Sequence, residues 1–396
     1  MAKALLPLSE NLTDRTTLEH TITVLEQHFD LSANGYLCQT RDLYQILVLA
    51  AARQTYIETV CNDLKEAPDS NTIRGYLKKQ LPPEEIRQLQ QDCNRALASQ
   101  LPEWLRATPR EVAIDLHDEP YYGKDDLTDE HCWVCRGEAR EGTTRFYRCA
   151  TVYIMHKDVR FTLALEFVHP KDDLFQIVKR LIRRLKALKI AVKRYYLDKG
   201  FCSILMLRAL QAELNLSAII AVPIRGKEGG TRALCRGRRS YRTDYTFSSE
   251  PNGEVTVPLA VVRTFRKRRD GKWYAEWLVY VVLNAADVSL RQIRKCYRRR
   301  FGIESSYRLM EQVRGRTTAR NPALRFLWMG LALLINNVWI TLHWIYLVKR
   351  AKGPRRVVRK HFILDRMLQF LRRAIEAIYG VITMVDCSNM IKLAKL

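Results

Sequence analysis

The segment KRYYLDKGFCSILMLRALQAELNLSAIIAV (residues 193–222) decides the fold class. Aromatic and aliphatic residues dominate Lys193 to Leu197, apolar residues recur at helical spacing from Phe201 to Leu214, and Ser217 to Val222 is again β-rich. That change of period predicts strand, helix, strand. Upstream, EVAIDL (111–116), RFYRCATVYIM (145–155) and VRFTLALEFV (159–168) read as three strands suited to antiparallel pairing. An amphipathic basic helix follows over Asp173 to Leu188, with Asp172 or Asp173 as its cap. The order βββαβαβ describes a mixed α/β core.

Outward from this core the pattern changes twice. Before Pro109, apolar spacing predicts helices over Leu18 to Phe29, Arg41 to Leu64 and Thr72 to Leu81. Within them, Tyr56 to Leu64 and SNTIRGYLKKQL (70–81) flank Pro68 like two helices joined by a short turn, either a DNA-reading pair or an ordinary helical hairpin. After Pro223, YRTDYTF, EVTVPLAVVRTF and WYAEWLVYVVL return to β character, and helices resume near Ser289. The expected organisation is a helical N-terminal domain (1–108), a core in two parts (109–224 and 289–350) interrupted by a basic β-rich insertion (225–288), and a helical C-terminal tail (351–396).

Length and charge fit this plan. A chain of 396 residues with 47% hydrophobic and 27% charged residues is globular and long enough for two or three compact units. The formal charge of +24 calls for a polyanionic partner. Residues 1–100 hold 10 Lys/Arg against 13 Asp/Glu, whereas residues 220–300 hold 19 against 7, so the basic field belongs to the later part. The opening MAKALLPLSENLTDR turns polar too soon for a secretory leader, and the ten scattered cysteines suit reduced thiols in a cytoplasm. Phe326 to Val348 is long and apolar enough to span a bilayer, but its Asn336, Asn337 and His343 point to a buried core helix. The basic stretch Lys349 to Lys360 adds phosphate contacts or forms a solvated loop.

Three acids stand where this topology brings chain segments together: Asp115 in the first strand, Asp198 directly after the fourth, and Glu304 on the helix after the insertion. Clustered carboxylates repel unless a cation neutralises them, and Mg²⁺ or Mn²⁺ takes such ligands together with substrate phosphate oxygens. Two such ions activate the attacking and leaving oxygens of a phosphodiester. Each acid also has a plainer role: Asp115 in a strand-end turn, Asp198 as a helix cap, Glu304 as a surface partner of Arg300 or Arg308.

IDLHDEPYYGK (114–124), YYLDKGF (195–201) and YRRRFGIESSYR (297–308) resemble the three acidic motifs of DDE transposases of prokaryotic insertion sequences, the IS4-related, ISH3-like kind. The resemblance spans about 110–345. It implies an RNase H-like core, Asp115, Asp198 and Glu304 as catalytic metal ligands for Mg²⁺ or Mn²⁺, and a β-rich insertion between the second Asp and the Glu. It also implies double-stranded DNA partners (element ends and target), a homodimer on DNA, and cut-and-paste transposition in the cytoplasm, at the nucleoid. Tyr297, Arg300 and Glu304 match the family's third motif at helical offsets that put them on one face of a helix, with Tyr297 and Arg300 meeting phosphate. The family's next position is Lys, but residue 311 here is Glu, which leaves Arg308 or Arg314 to supply that cation.

In the insertion, Arg238, Arg239, Arg266 and Arg268 lie among aromatic residues, a composition suited to phosphate binding with base stacking. By the resemblance, Trp273 stacks on a flipped base; as an ordinary residue it belongs to a core. His131, Cys132 and Cys135 form an incomplete zinc-like pattern. Nothing in the chain reads as a nucleotide-binding glycine loop. Three other readings stay open: a metal-dependent nuclease on the same core, a DNA-binding relative without catalysis, and a membrane-associated protein inserting residues 326–348.

Overall fold

The computed structural model describes residues 11–124, 131–156, 161–349 and 356–384. The opening ten residues, the start of the strand expected over 159–168, residues 350–355 of the basic stretch and the end of the tail lie outside the described residues. Two compact units divide the chain: Met1–Gln100 together with Leu309–Leu396, and Leu101–Arg308.

The first unit opens with helices α1 (Asp14–His28), α2 (Thr40–Arg53), α3 (Ile57–Asp63), α4 (Ser70–Gln80) and α5 (Ile86–Ser99). Thr13 starts α1 in a capping box with Thr16, and the Asp69 carboxylate accepts the Asn71 N–H at the start of α4. The stretch read as helical from Arg41 to Leu64 is two helices, and the second, α3, matches the helix expected over Tyr56 to Leu64. Gln54 is left-handed (φ 52°), and the N–H groups of Gln54 and Thr55 cap the carbonyls of Ala51 and Ala50.

The second unit is built on one nine-stranded sheet: β1 (Arg110–Pro120), β2 (Val134–Arg140), β3 (Thr143–Ile154), β4 (Thr162–Phe167), β5 (Val192–Leu197), β6 (Ala218–Val222), β7 (Tyr241–Ser249), β8 (Gly253–Lys267) and β9 (Trp273–Leu283). Its path is β2-β3-β1-β5-β6-β9-β8-β7, with β4 also paired to β3. The β1–β3 and β3–β4 pairs are antiparallel as expected, whereas β1–β5 and β5–β6 are parallel. The crossover to β5 is α6 (Leu174–Ala187), capped by Asp173. Its Arg180 reaches Glu166, a buried acid on β4, at 2.5 Å. The crossover to β6 carries the short α7 (Ile204–Arg208).

Two features depart from the sequence reading. The segment from 134 to 140, outside the strands expected from sequence, is strand β2. The basic β-rich segment is a meander continuous with the core sheet, since Val279–Leu283 of β9 pairs with Val222–Ala218 of β6.

After the meander, Ser289 caps α8 (Leu290–Arg299) in a capping box with Gln292, and α9 (Gly302–Glu311) follows. These helices cover one face of the sheet. Ala113, Tyr153, Tyr196, Ile219, Val262 and Tyr280 meet Ile293, Tyr297, Ile303 and Tyr307 in one buried cluster. Full burial of each of the Ile and Val side chains among them contributes about 1.5–3 kcal/mol. The last helices among the described residues are α10 (Pro322–Tyr346), capped by Asn321, and α11 (Leu364–Tyr379), both in the first unit. Among the described residues α10 is long and apolar enough to cross a membrane, and 83% of its most apolar window is buried inside the protein.

Candidate active site

Strand register brings the first two acids together. The last parallel pair between β1 and β5 is Ile114 with Leu197, and Asp115 and Asp198 are the next residue on each strand. Two positions earlier Ala113 and Tyr196 face α8 and α9, so the alternation of strand side chains turns Asp115 toward the same helices. Asp198 begins a 3₁₀ turn (Lys199–Phe201) but makes no side-chain capping bond; its carboxylate faces the site instead.

The third acid arrives by a route that differs from the expected continuous helix. α8 stops at Arg299 and α9 starts at Gly302, with N–H bonds from Arg300 to Tyr297, Phe301 to Arg298 and Ile303 to Arg300 tightening the junction into i→i+3 turns. Gly302 fits the break because a Cβ there would stand 3.0 Å from the Tyr153 hydroxyl.

At this junction all three acids meet one guanidinium. Arg300, only 3% exposed, places Nη1 3.0 Å from Asp115 Oδ2 and Nη2 3.3 Å from Asp198 Oδ1 and 3.7 Å from Glu304 Oε1. Its cationic carbon lies 5.4 Å from the centre of the Tyr297 ring and 5.2 Å from that of Phe301. Tyr297 is buried, its hydroxyl 3.2 Å from the Leu197 carbonyl and 3.4 Å from Asp198 Oδ1. Burial pushes the Asp115 carboxyl up to about 6, and the Asp198 charge adds to this; Arg300 and the Leu116 N–H pull the other way.

A residue not singled out from sequence secures the geometry. Tyr307, one helical turn beyond Glu304, has its hydroxyl 2.7 Å from Thr151 Oγ1 and 3.2 Å from the Asp115 carbonyl. Thr151 is the register partner of Asp115 on β3, so this buried pair ties α9 to the strand that carries the first acid. Its one signal in the sequence was the i, i+3 offset from Glu304.

The basic residues of the meander lie at its surface. Arg238 and Arg239 are exposed beside a hollow of about 560 Å³ shared with Arg263, Arg291 and Arg294. Arg266 pairs with Glu276 at 2.9 Å, and Arg268 stacks over Tyr274. Arg308 and Glu311 are exposed on α9. Trp273, which a core role would bury, is 67% exposed. Trp277 instead lines a cavity of about 410 Å³ with Tyr280, Tyr297 and Phe301, rimmed by Lys199 and Arg298.

Among the described residues no three His, Cys, Asp or Glu side chains form a ready cage for an ion. The zinc-like pattern is not gathered into one; the Cys135 thiol donates to the Val168 carbonyl from β2. For Asp115, Asp198 and Glu304 the guanidinium fills the space between them, and its buried Nε has no hydrogen-bond partner among the described residues. Three hard carboxylate donors around one point of positive charge fit Mg²⁺ or Mn²⁺.

Residues 134–338 match the family model "Transposase DDE domain". The matched span contains Asp198 and Glu304 and begins beyond Asp115. In structure the chain is similar to a piggyBac transposase, seen by cryo-EM in a synaptic complex with hairpin DNA: 12% identity and a TM-score of 0.50 over 96% of this chain and 78% of that one. At that identity the likeness speaks for the fold, an RNase H-like mixed sheet with helices. No curated protein matches the chain.

Proposed function

Because the chain belongs to the transposase family defined by the DDE domain, and is a DNA transposase on that ground, we propose that Asp115, Asp198 and Glu304 hold the divalent ions with which it cuts and rejoins DNA. The observation that carries the assignment is the convergence of these three acids, from β1, the end of β5 and α9, on one guanidinium. When bound, Mg²⁺ or Mn²⁺ supplies Lewis-acid activation of the attacking hydroxyl and stabilisation of the leaving oxygen.

The remaining work falls to the chain's own residues. Tyr307 and Thr151 hold α9 against β1 and so keep Glu304 in register with Asp115. Arg291, Arg294, Lys295, Arg298 and Arg299 line one hollow along α8, the helix that ends next to Arg300, and bind backbone phosphates. Arg238, Arg239, Arg266 and Arg268 extend that track along the meander. The cavity at Trp277 is lined by aromatic rings and takes an extruded base; Trp273, on the surface, contacts the strand outside it. Tyr297 closes the floor between cavity and acids, and Arg308 faces solvent where phosphate passes.

The substrates in this reading are the terminal inverted repeats of a prokaryotic insertion sequence of the IS4-related, ISH3-like kind, handled by a homodimer in the cytoplasm, and the helices of 1–108 contribute to end binding. The experiment is joining of a labelled 3′ end, taken from the DNA flanking the gene, into plasmid with Mg²⁺. The expected result is a covalent plasmid adduct that disappears in Asp198→Asn. Cleavage without adduct would identify a nuclease, and binding with neither would identify a non-catalytic DNA-binding relative.

A further inference from the structure

Arg300 is an unusual occupant for a metal site. Four other guanidiniums in the same unit each make one shorter carboxylate contact, 2.5 Å for Arg148 with Asp118 and Arg180 with Glu166, 2.7 Å for Arg299 with Glu111 and 2.8 Å for Arg194 with Asp287, beside longer second contacts of 3.0 Å from Arg180 to Asp172 and 3.8 Å from Arg194 to Glu111. The three contacts of Arg300 are 3.0, 3.3 and 3.7 Å, although its side chain is among the most buried. Charge-assisted bonds of this kind close to about 2.7–2.9 Å when geometry permits. With its Nε–H unpaired, this guanidinium underfills its hydrogen bonding. One positive charge also answers three carboxylates, so the trio remains under-neutralised.

From these observations we propose that Arg300 is a displaceable internal cation: in the metal-free chain its guanidinium holds Asp115, Asp198 and Glu304 together, and it leaves when divalent ions enter. A Mg²⁺–oxygen bond is about 2.1 Å, so an ion bound through the carboxylate lobes that face Nη1 and Nη2 overlaps those nitrogens. The place to which the side chain moves lies at the α8–α9 junction, where backbone bonding is already tightened out of the α pattern and the Phe301 ring is 46% exposed. Arg300 is thus a positioning residue that keeps the acids assembled and sets the threshold for metal entry. This rests on the reading of the three acids as ion ligands.

The test is Mn²⁺ titration of the full chain without DNA, followed by calorimetry and by the electron paramagnetic resonance of free Mn²⁺. Arg300→Gln removes the competing cation and is expected to bind Mn²⁺ at least about tenfold more tightly than the wild type. Arg300→Lys, a shorter point charge, falls between the two. In EDTA the melting temperature of Arg300→Gln lies below that of the wild type, and saturating Mn²⁺ closes the gap. Unchanged or weaker Mn²⁺ affinity in Arg300→Gln overturns the proposal; if that variant does not fold, wild-type affinity in Arg300→Lys does the same. Failure of the underlying reading looks different: adding Asp198→Asn to the Arg300→Gln chain would then leave Mn²⁺ binding unchanged.

Discussion

Removing the Tyr307 hydroxyl tests how the third acid is held. In the buried chain of bonds, Thr151 donates to Tyr307 Oη at 2.7 Å and Tyr307 donates to the Asp115 carbonyl at 3.2 Å. Tyr307→Phe leaves a buried Thr hydroxyl and a strand carbonyl without that partner, at a cost of about 1–3 kcal/mol. For a unit of this size that lowers the melting temperature by roughly 2–4 °C per kcal/mol. Thr151→Val removes the first donor at nearly constant shape. Because the two hydroxyls satisfy one another, the double variant is expected to be more stable than additive losses allow, by about 1 kcal/mol, well beyond the ~0.5 kcal/mol scatter of independent sites. Urea unfolding of the four proteins, followed by tryptophan fluorescence, gives this coupling directly. Tyr307→Phe should also slow DNA cleavage while leaving DNA affinity intact, since it loosens Glu304 relative to Asp115 without touching the basic surface. Additive losses in the cycle, or weakened DNA binding at unchanged cleavage, would show that Tyr307 and Thr151 do not hold Glu304 in place.

Three further outcomes follow from other parts of the chain. Burial lowers His343, beside Trp339 and Phe362, from 6.5 to about 4, so the folded state resists a proton that the unfolded state accepts. Stability from this group is therefore present above about pH 6.5 and lost as pH falls toward 4, on the order of 3 kcal/mol in all; His343→Phe should flatten that limb of an unfolding-versus-pH curve. Gly315→Ala would put a Cβ 2.5 Å from the buried Trp328 ring, and differential scanning calorimetry should show destabilisation of about 1–3 kcal/mol or more. Replacing Arg238 and Arg239 by Ala removes two exposed charges, and the log–log salt dependence of DNA binding measured by fluorescence anisotropy should become shallower by about 1.8.

Much of this was legible in the sequence because it rests on local periodicity. β1, β5 and β6 were visible in their β-rich runs, α6 in its Asp173 cap, and the helical restart in Ser289. The acids were legible too, since a strand interior, a strand end and a helix are separate local contexts that a mixed sheet must bring near one another. What was hidden depends on long-range register or on single backbone angles. Tyr56 to Leu64 was legible as a helix, but the exact end of α2 turns on one left-handed residue, Gln54, whose side chain does not advertise it. The break between α8 and α9 falls at Gly302, packed close to Tyr153, so a helical offset alone could not show that Tyr297, Arg300 and Glu304 meet across a junction. The pairing of β9 with β6 and the return of α10 and α11 to the unit of the N-terminal helices are contacts between distant segments, with no local pattern to mark them. Arg300 was visible as a cation beside the acids, but its place among all three of them belongs to the folded chain.

If the three acids ligate the ions that cut DNA, changing the softness of one ligand changes which metal supports cleavage. In Asp198→Cys the thiolate is a poor partner for Mg²⁺ and a better one for Mn²⁺. Cleavage of end DNA by this variant is expected to vanish in Mg²⁺ and to return in Mn²⁺, while the wild type works with both. Wild-type rates in Mg²⁺ from Asp198→Cys, or cleavage by the wild type in excess EDTA, would contradict that role for the acids.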